Sequence, residues 1–175
     1  MAKVILYIAQ SKDGFIATND GSVSWLDKYH DLGSDFGYAE FIKSISTVVM
    51  GNTTYQQILG FDCEYPYATQ KNYVFTRNKS LTRDGRVTFL HGDIQKNIAE
   101  IKAKSEKDIW LIGGARLFDA FSKANCVDEL IVTTMPDNLS EGIPLFVDEN
   151  DREKYVIENV IDCGHGVVQE VFTRL

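Results

Sequence analysis

The fold of this protein is decided by residues 108–121, which read DIWLIGGARLFDAF. The stretch begins with an unbroken apolar run, residues 109–112, as expected of a strand that is buried on both faces of a sheet. Two glycines end this run, and Leu117, Phe118 and Phe121 then recur at helical spacing. The stretch therefore predicts a buried strand, a Gly-Gly turn and a helix that starts at once.

The turn after this strand is a candidate phosphate site. Gly113 and Gly114 allow positive φ and let a ligand approach without interference from a Cβ. The start of the helix exposes unpaired N–H groups and the positive end of its dipole, and Arg116 stands in the first turn. The alternative is a plain strand-to-helix turn with Arg116 in solvent, since a bare Gly-Gly pair is a weak motif.

Length and charge limit the classes of protein and partner. A chain of 175 residues is expected to form one domain, residues 1–175, with a sizeable core. The formal net charge of −7 argues against a nucleic-acid groove or an anionic membrane surface as partner. Any anion site must therefore be local, built from helix ends and one or two arginines.

Cysteine and histidine usage argues against a metal site or a disulfide framework. The cysteines are widely spaced, and they are Cys63, Cys126 and Cys163. Their odd number and spacing make a reducing cytoplasm the simple inference. The histidines have no metal-ligand spacing and are interpreted as surface or loop residues: His30, His91 and His165. The first apolar run, residues 4–9, is too short for a signal peptide or a membrane span.

Short apolar runs alternate with helical patterns along the chain. The runs predicted as strands, besides 109–112, are residues 3–10, 15–17, 47–50, 72–76, 87–90 and 128–135. Residues 155–161 and 167–173 flank a Gly-His-Gly turn and predict an antiparallel hairpin at the C-terminus. Together they predict an α/β fold whose central sheet is mostly parallel.

Ligands of such sheets bind where the strands end, at their carboxyl ends. The loops expected to meet there are residues 11–25, 51–54, 76–77 and 113–116. Loop 51–54 repeats the theme of strand, glycine and helix start, although its threonines can also be ordinary helix caps. Loop 11–25 carries two Asp-Gly turns and is either an active-site lid or a plain surface hairpin.

Asp35 has two interpretations. A helix is predicted to begin at Ser34 or Asp35 and to end near Ser46. Helical spacing would place the Asp35 carboxylate on the apolar face of this helix. The carboxylate is then either a cap that complements the helix dipole, which we favour from the residues alone, or a half-buried acid at the edge of a pocket.

Eight segments recur in an order and spacing that belong to a known group. They are VILYIAQSKDGFIA, DGSVSWL, DFGYAEF, VVMGNTTY, YVFTRN, DIWLIGGARLF, DELIVTTMP and EGIPLF. They resemble the dihydrofolate reductase superfamily and, more narrowly, stand-alone relatives of the reductase domain of the bacterial bifunctional riboflavin-biosynthesis deaminase-reductase. The resemblance implies a three-layer fold, with helices on both faces of a sheet of about eight strands, and a cytoplasmic homodimer.

The resemblance also implies an NADPH site. Gly113 and Gly114 match the double glycine of the family, which is usually joined by a cis peptide bond and placed against the cofactor. The other implied cofactor-binding residues are Ala9, Ile16, Gly51, Asn52, Thr53, Thr54, Thr76, Arg77, Ala115, Arg116 and Leu117. Asn52 stands where an arginine is usual in the family, so Arg77 is expected to take the phosphate of the adenosine ribose.

The implied catalytic residues are Trp25, which closes the lid loop, Asp35, which bonds the substrate, and Thr133, which lies behind Asp35. Asp35 and Tyr38 are implied to bind the substrate. The implied function is an NADPH-dependent oxidoreductase that resembles 5-amino-6-(5-phosphoribosylamino)uracil reductase and acts on a small molecule. The alternatives are a dihydrofolate reductase and a nucleotide-binding module without catalysis.

Overall fold

The computed structural model describes residues 1–82 and 84–175, and a sheet of eight strands lies at its centre. The strands of the chain are β1 Val4–Gln10, β2 Phe15–Ala17, β3 Ile45–Gly51, β4 Lys71–Phe75, β5 Thr88–Leu90, β6 Asp108–Gly113, β7 Glu129–Thr134, β8 Ile143–Pro144, β9 Tyr155–Asp162 and β10 Val168–Arg174. The central order is β5-β4-β3-β6-β1-β7-β10-β9, and β2 pairs separately with β8. The strands from β5 to β7 run parallel, whereas β10 and β9 are antiparallel. The predicted α/β class and its C-terminal hairpin are confirmed.

Helices cover both faces of this sheet. They are α1 Tyr38–Lys43, α2 Asn52–Leu59, α3 Ile94–Lys104 and α4 Ala115–Lys123, with 3-10 helices at Ser24–Leu32 and Glu149–Lys154. Because side chains alternate along a strand, β1 sends Val4 and Leu6 to the layer of α3 and α4, and Ile5 to the layer of α1 and α2. The predicted three-layer arrangement is confirmed.

The first helix differs from its prediction. It spans only Tyr38–Lys43, because Phe36 and Gly37 have positive φ values of 51° and 86° and turn the chain just before it. Ile45 and Ser46, predicted as helical, begin β3 instead, where Ile45 pairs with Asp108 of β6. The β-branched run that follows favours the strand over a longer helix.

Within residues 1–82 and 84–175, no helix combines the length and the apolar character that crossing a bilayer requires.

The outermost strand, β9, leaves apolar side chains in solvent. Val156, Ile157, Val160 and Ile161 are 48%, 42%, 58% and 40% exposed. They lie on both faces of the strand, and β9 ends the sheet, so one row of its backbone N–H and C=O groups faces outward. An edge of this kind is a template for pairing with a second strand.

We expect β9 to pair with β9 of a second copy of the chain. Val160→Lys should then give a monomer, because a charge would have to enter the interface. Light scattering at micromolar concentration should show the wild type near twice 19.7 kDa and the variant near 19.7 kDa. Val147→Lys, at another exposed apolar residue, is the matched control. A monomeric wild type would contradict this expectation.

Candidate active site

Two helix starts lie side by side at the carboxyl ends of neighbouring strands. β3 pairs with β6, and Met50 lies opposite Gly113. Gly51 therefore begins α2 beside Gly114, which begins α4. A Cβ on Gly114 would lie 3.6 Å from the Thr54 hydroxyl oxygen. The structure brings together the two loops that the sequence predicted to meet, and this distance is an ordinary van der Waals contact.

The peptide bond between Gly113 and Gly114 is cis, as the resemblance implied. Gly113 has a φ of 117°, in the region that favours glycine. A Cβ added to Gly51 would lie 3.8 Å from the carbonyl oxygen of Gly113 and 3.9 Å from the Cβ of Leu117. The backbone of both loops therefore lies open to a ligand.

The cleft can hold an anion. Both helices begin without a side-chain cap from any described residue. The N–H groups of Ala115 and Arg116 and those of the first turn of α2 are therefore available to a ligand, whereas the Leu117 N–H donates to the Gly114 carbonyl oxygen at 3.0 Å. Arg116 lies exposed in the first turn of α4, beside the buried Ala115, and Thr53 lies exposed in the first turn of α2. Two dipole ends and one guanidinium supply local positive charge in a chain of net charge −7.

Asn52 adds an unused acceptor to the same cleft. Its Oδ1 is buried and has no hydrogen-bond partner in the part of the chain that the structure describes. A buried polar atom without a partner costs free energy, and a ligand hydroxyl would remove that cost. The residues present thus fit a phosphate-bearing, hydroxyl-bearing ligand such as a dinucleotide.

Thr76 and Arg77 lie at the same edge of the sheet. They follow β4, whose last residue, Phe75, pairs with Gly51. Arg77 is exposed and makes no salt bridge with any described residue. Its guanidinium is therefore available to a second anionic group on a ligand bound at Gly51.

The predicted lid loop, residues 11–25, is tied down on two sides. The Asp13 carboxylate accepts hydrogen bonds from the N–H groups of Leu139 and Ser140, at 3.1 and 2.7 Å. Farther along, the carbonyl oxygen of Gly21 accepts one from Gln57 Nε2 of α2, at 2.9 Å. The loop is consequently held by hydrogen bonds to the loop after β7 at one end and to α2 at the other.

The end of this loop forms an apolar wall. Trp25 and Ala9 pack in one cluster with Phe36 against Met135 and Val167. The Trp25 Nε1–H is buried and has no acceptor among residues 1–82 and 84–175. Ile16, which the resemblance implies to bind the cofactor together with Ala9, packs against the cluster on the other face of the sheet. This apolar wall therefore contains one buried hydrogen-bond donor, the Trp25 Nε1–H, that no described residue uses.

Asp35 is not the half-buried acid that one interpretation predicted. It is exposed, and its two carboxylate oxygens accept hydrogen bonds from the N–H groups of Gly37 and Ala39, at 3.0 and 2.8 Å. The bonds from Ala39 and then Gly37 hold its pKa below the usual value. The interpretation as a cap at the start of α1 is confirmed.

Thr133 is not the partner of Asp35 either. It is 3% exposed, and its hydroxyl oxygen accepts a hydrogen bond from Gln169 Nε2 at 2.9 Å. Gln169 Nε2 also donates to the carbonyl oxygen of Phe36, so Thr133 is linked to the turn that follows Asp35 and not to its carboxylate. The implied position of Thr133 behind Asp35 stays a prediction.

Sequence reasoning missed Tyr7 and Gln169, two residues of the sheet whose side chains bond to the turn at Phe36 and Gly37. The Tyr7 hydroxyl and Gln169 Nε2 both donate to the carbonyl oxygen of Phe36, at 2.9 and 3.0 Å. Burial raises the pKa of Tyr7 to about 12, so the hydroxyl keeps its proton. A polar residue at an inward position of a strand was the available signal.

Tyr38, implied to bind the substrate, packs among aromatic rings. Its ring centroid lies 6.3 Å from that of Tyr7 and 5.9 Å from that of Trp110. Burial raises its pKa. Its contact with a substrate stays a prediction.

In the described residues, no group of three or more His, Cys, Asp or Glu side chains is placed to hold a metal ion.

Known proteins resemble this chain over most of its length. The family model for the RibD C-terminal domain matches residues 2–168. Uncharacterized protein YwjB of Bacillus subtilis is 36% identical over 165 residues, 94% of each chain. The structure of a putative riboflavin biosynthesis protein from Shewanella sp. PV-4 has a TM-score of 0.88 at 26% identity and covers 100% of this chain and 99% of that one.

A dihydrofolate reductase from Enterococcus faecalis, complexed with NADP(H), shares the fold. Its TM-score is 0.70 at 18% identity, and the match covers 98% of this chain and 96% of that one.

The cap at Asp35 predicts a pH-dependent contribution to stability. Asp35→Ala should lower the midpoint of thermal unfolding at neutral pH, whereas Asp35→Asn, which keeps one acceptor oxygen, should lower it less. Because the pKa is lowered in the folded state, the contribution is complete above the pKa of the unfolded carboxyl. It disappears as the pH falls through the folded value. Calorimetry at several pH values measures the difference, and equal midpoints for Asp35→Ala and the wild type at neutral pH would contradict the cap.

Proposed function

The chain belongs to the RibD C-terminal domain family, and we propose that it is an NADPH-dependent reductase that transfers a hydride to a small conjugated substrate. The substrate resembles the pyrimidine of 5-amino-6-(5-phosphoribosylamino)uracil and carries a C=N or C=O bond. The observation that supports this proposal most is the pair of uncapped helix starts at Gly51 and Gly114, side by side at the carboxyl ends of β3 and β6.

The same residues fit the coenzyme along its length. The free N–H groups of α2 and α4, with Arg116, would hold the pyrophosphate. Asn52 Oδ1 would accept a hydrogen bond from a ribose hydroxyl. Thr76 and Arg77 would take a phosphate on the adenosine ribose, which favours NADPH over NADH. The E. faecalis dihydrofolate reductase holds NADP(H) on the same fold.

In this proposal the protein positions the substrate against the coenzyme and excludes water from the site. NADPH, when bound, supplies the hydride. Ala9 and Trp25 provide an apolar wall, and the unpaired Nε1–H of Trp25 is available to a carbonyl oxygen or ring nitrogen of the substrate. The Asp35 carboxylate stays ionised at neutral pH, because its pKa is lowered, so we assign it no proton delivery.

The two alternatives fit less well. A dihydrofolate reductase would need a half-buried carboxylate at the edge of the pocket, but Asp35 is exposed and caps the start of α1. A nucleotide-binding module without catalysis would bind NADPH but would oxidise it with no compound. A panel of pyrimidine, pterin and carbonyl compounds, assayed for NADPH oxidation, distinguishes all three. NADPH binding without turnover on any member would favour the module.

Arg116→Ala should weaken NADPH binding about tenfold, since charge-assisted hydrogen bonds contribute roughly 1.5 kcal/mol or more. Titration by fluorescence or calorimetry gives Kd, and Arg152→Ala, at another exposed arginine, is the matched control. An unchanged Kd for Arg116→Ala would count against a pyrophosphate at α4.

Trp25→Phe should lower kcat and leave Kd for NADPH nearly unchanged, because phenylalanine keeps an apolar ring and removes the N–H. The loss should be about tenfold if the N–H bonds the substrate more strongly in the transition state. Steady-state kinetics with the best compound of the panel provides the measurement. Full activity in Trp25→Phe would assign Trp25 to packing alone.

A further inference from the structure

His91 lies between both ends of a short loop. It directly follows β5, and its ring is half-buried. Its Nδ1 lies 3.0 Å from the carbonyl oxygen of Thr76, and its Nε2 lies 2.8 Å from that of Leu81. The His91 carbonyl oxygen in turn accepts a hydrogen bond from Asn97 Nδ2 of α3, at 2.9 Å. One imidazole thus lies within hydrogen-bond distance of both ends of residues 76–81, at the end of β5.

The loop that the imidazole spans carries Arg77. The Thr76 N–H donates to the Leu90 carbonyl oxygen at 3.0 Å, and the Leu81 N–H donates to the Asn78 carbonyl oxygen at 3.2 Å. The Asn78 N–H also donates to the Thr76 hydroxyl oxygen at 3.1 Å. The loop is therefore closed on itself. Its two ends are joined to β5 by the backbone bonds Thr76 N–H to Leu90 and Phe89 N–H to Thr82, and the His91 ring adds a side-chain contact at both ends.

Both groups that face the ring are carbonyl acceptors. A neutral imidazole donates one of the two hydrogen bonds, and an imidazolium donates both. In either form at least one end of the loop is held. A histidine interpreted from the sequence as an ordinary surface or loop residue therefore has a defined contact with the predicted coenzyme edge.

We propose that His91 is a positioning residue that selects the coenzyme: by fixing loop 76–81 it holds Arg77 where a phosphate on the adenosine ribose binds. This inference rests on the proposed function and extends it to a residue that touches no ligand. Holding the loop reduces the conformational entropy that is lost when the Arg77 side chain closes on the phosphate. A nucleotide without that phosphate gains nothing from the fixed loop, so His91 acts on selectivity rather than on affinity in general.

The test uses two nucleotides that differ by one group, adenosine 2′,5′-bisphosphate and AMP, titrated calorimetrically. His91→Ala should weaken the bisphosphate about fivefold and leave AMP unchanged. In an Arg77→Ala background the same substitution should cause no further loss, because the two residues act as one unit. His91→Gln keeps an amide donor and should lie between the wild type and His91→Ala. His30→Ala, at an exposed histidine, should change neither affinity.

Three outcomes would overturn the inference. They are an unchanged affinity of His91→Ala for the bisphosphate, equal losses for both nucleotides, and a full further loss in the Arg77→Ala background. Thermal melting verifies that each variant is folded, and His91→Gln carries the test if His91→Ala does not fold. A wild type that binds the bisphosphate no tighter than AMP refutes the proposed coenzyme preference as well. Failures confined to the His91 variants refute only the role of His91.

Discussion

The site depends on the parallel pairing of β3 with β6. Because both strands end at the same edge, the helices that follow them begin together, and two positive dipole ends meet at Gly51 and Gly114. The rest of the candidate site lies near that cleft: the loop of residues 11–25 contacts α2 at Gln57, and Arg77 follows β4, the strand that pairs with β3.

Local positive charge explains how an acidic chain could still bind an anion in this cleft. A net charge of −7 would repel a dinucleotide phosphate at long range. At short range, free backbone N–H groups and exposed guanidinium groups act within a few ångströms, and ionic strength screens the long-range repulsion. We therefore propose that a small anionic ligand binds at this one place, while the acidity of the chain disfavours nucleic acid as a partner.

The sequence predicted the strand–glycine–helix units well, because both their hydrophobic period and their glycines are local signals. It favoured the observed cap at Asp35, but the alternative of a half-buried acid was wrong, since a helical wheel assumes continuous helix, and Phe36 and Gly37 interrupt it with positive φ. Tyr7 and Gln169 were missed for a different reason. Their common partner, the Phe36 carbonyl oxygen, is brought to them only by the sheet, from 29 and 133 residues away. The likeness to a family gave the cofactor residues, whereas the hydrogen bonds of His91 depend on three separate segments of chain.

Hydrogen exchange of the backbone amides, with and without NADPH, tests the central claim most directly. The free N–H groups at the starts of α2 and α4 are the proposed ligands of the pyrophosphate, so residues 52–54 and 115–116 should exchange more slowly once the coenzyme is added. Slower exchange only at other segments, or no change at saturating NADPH, would contradict the account.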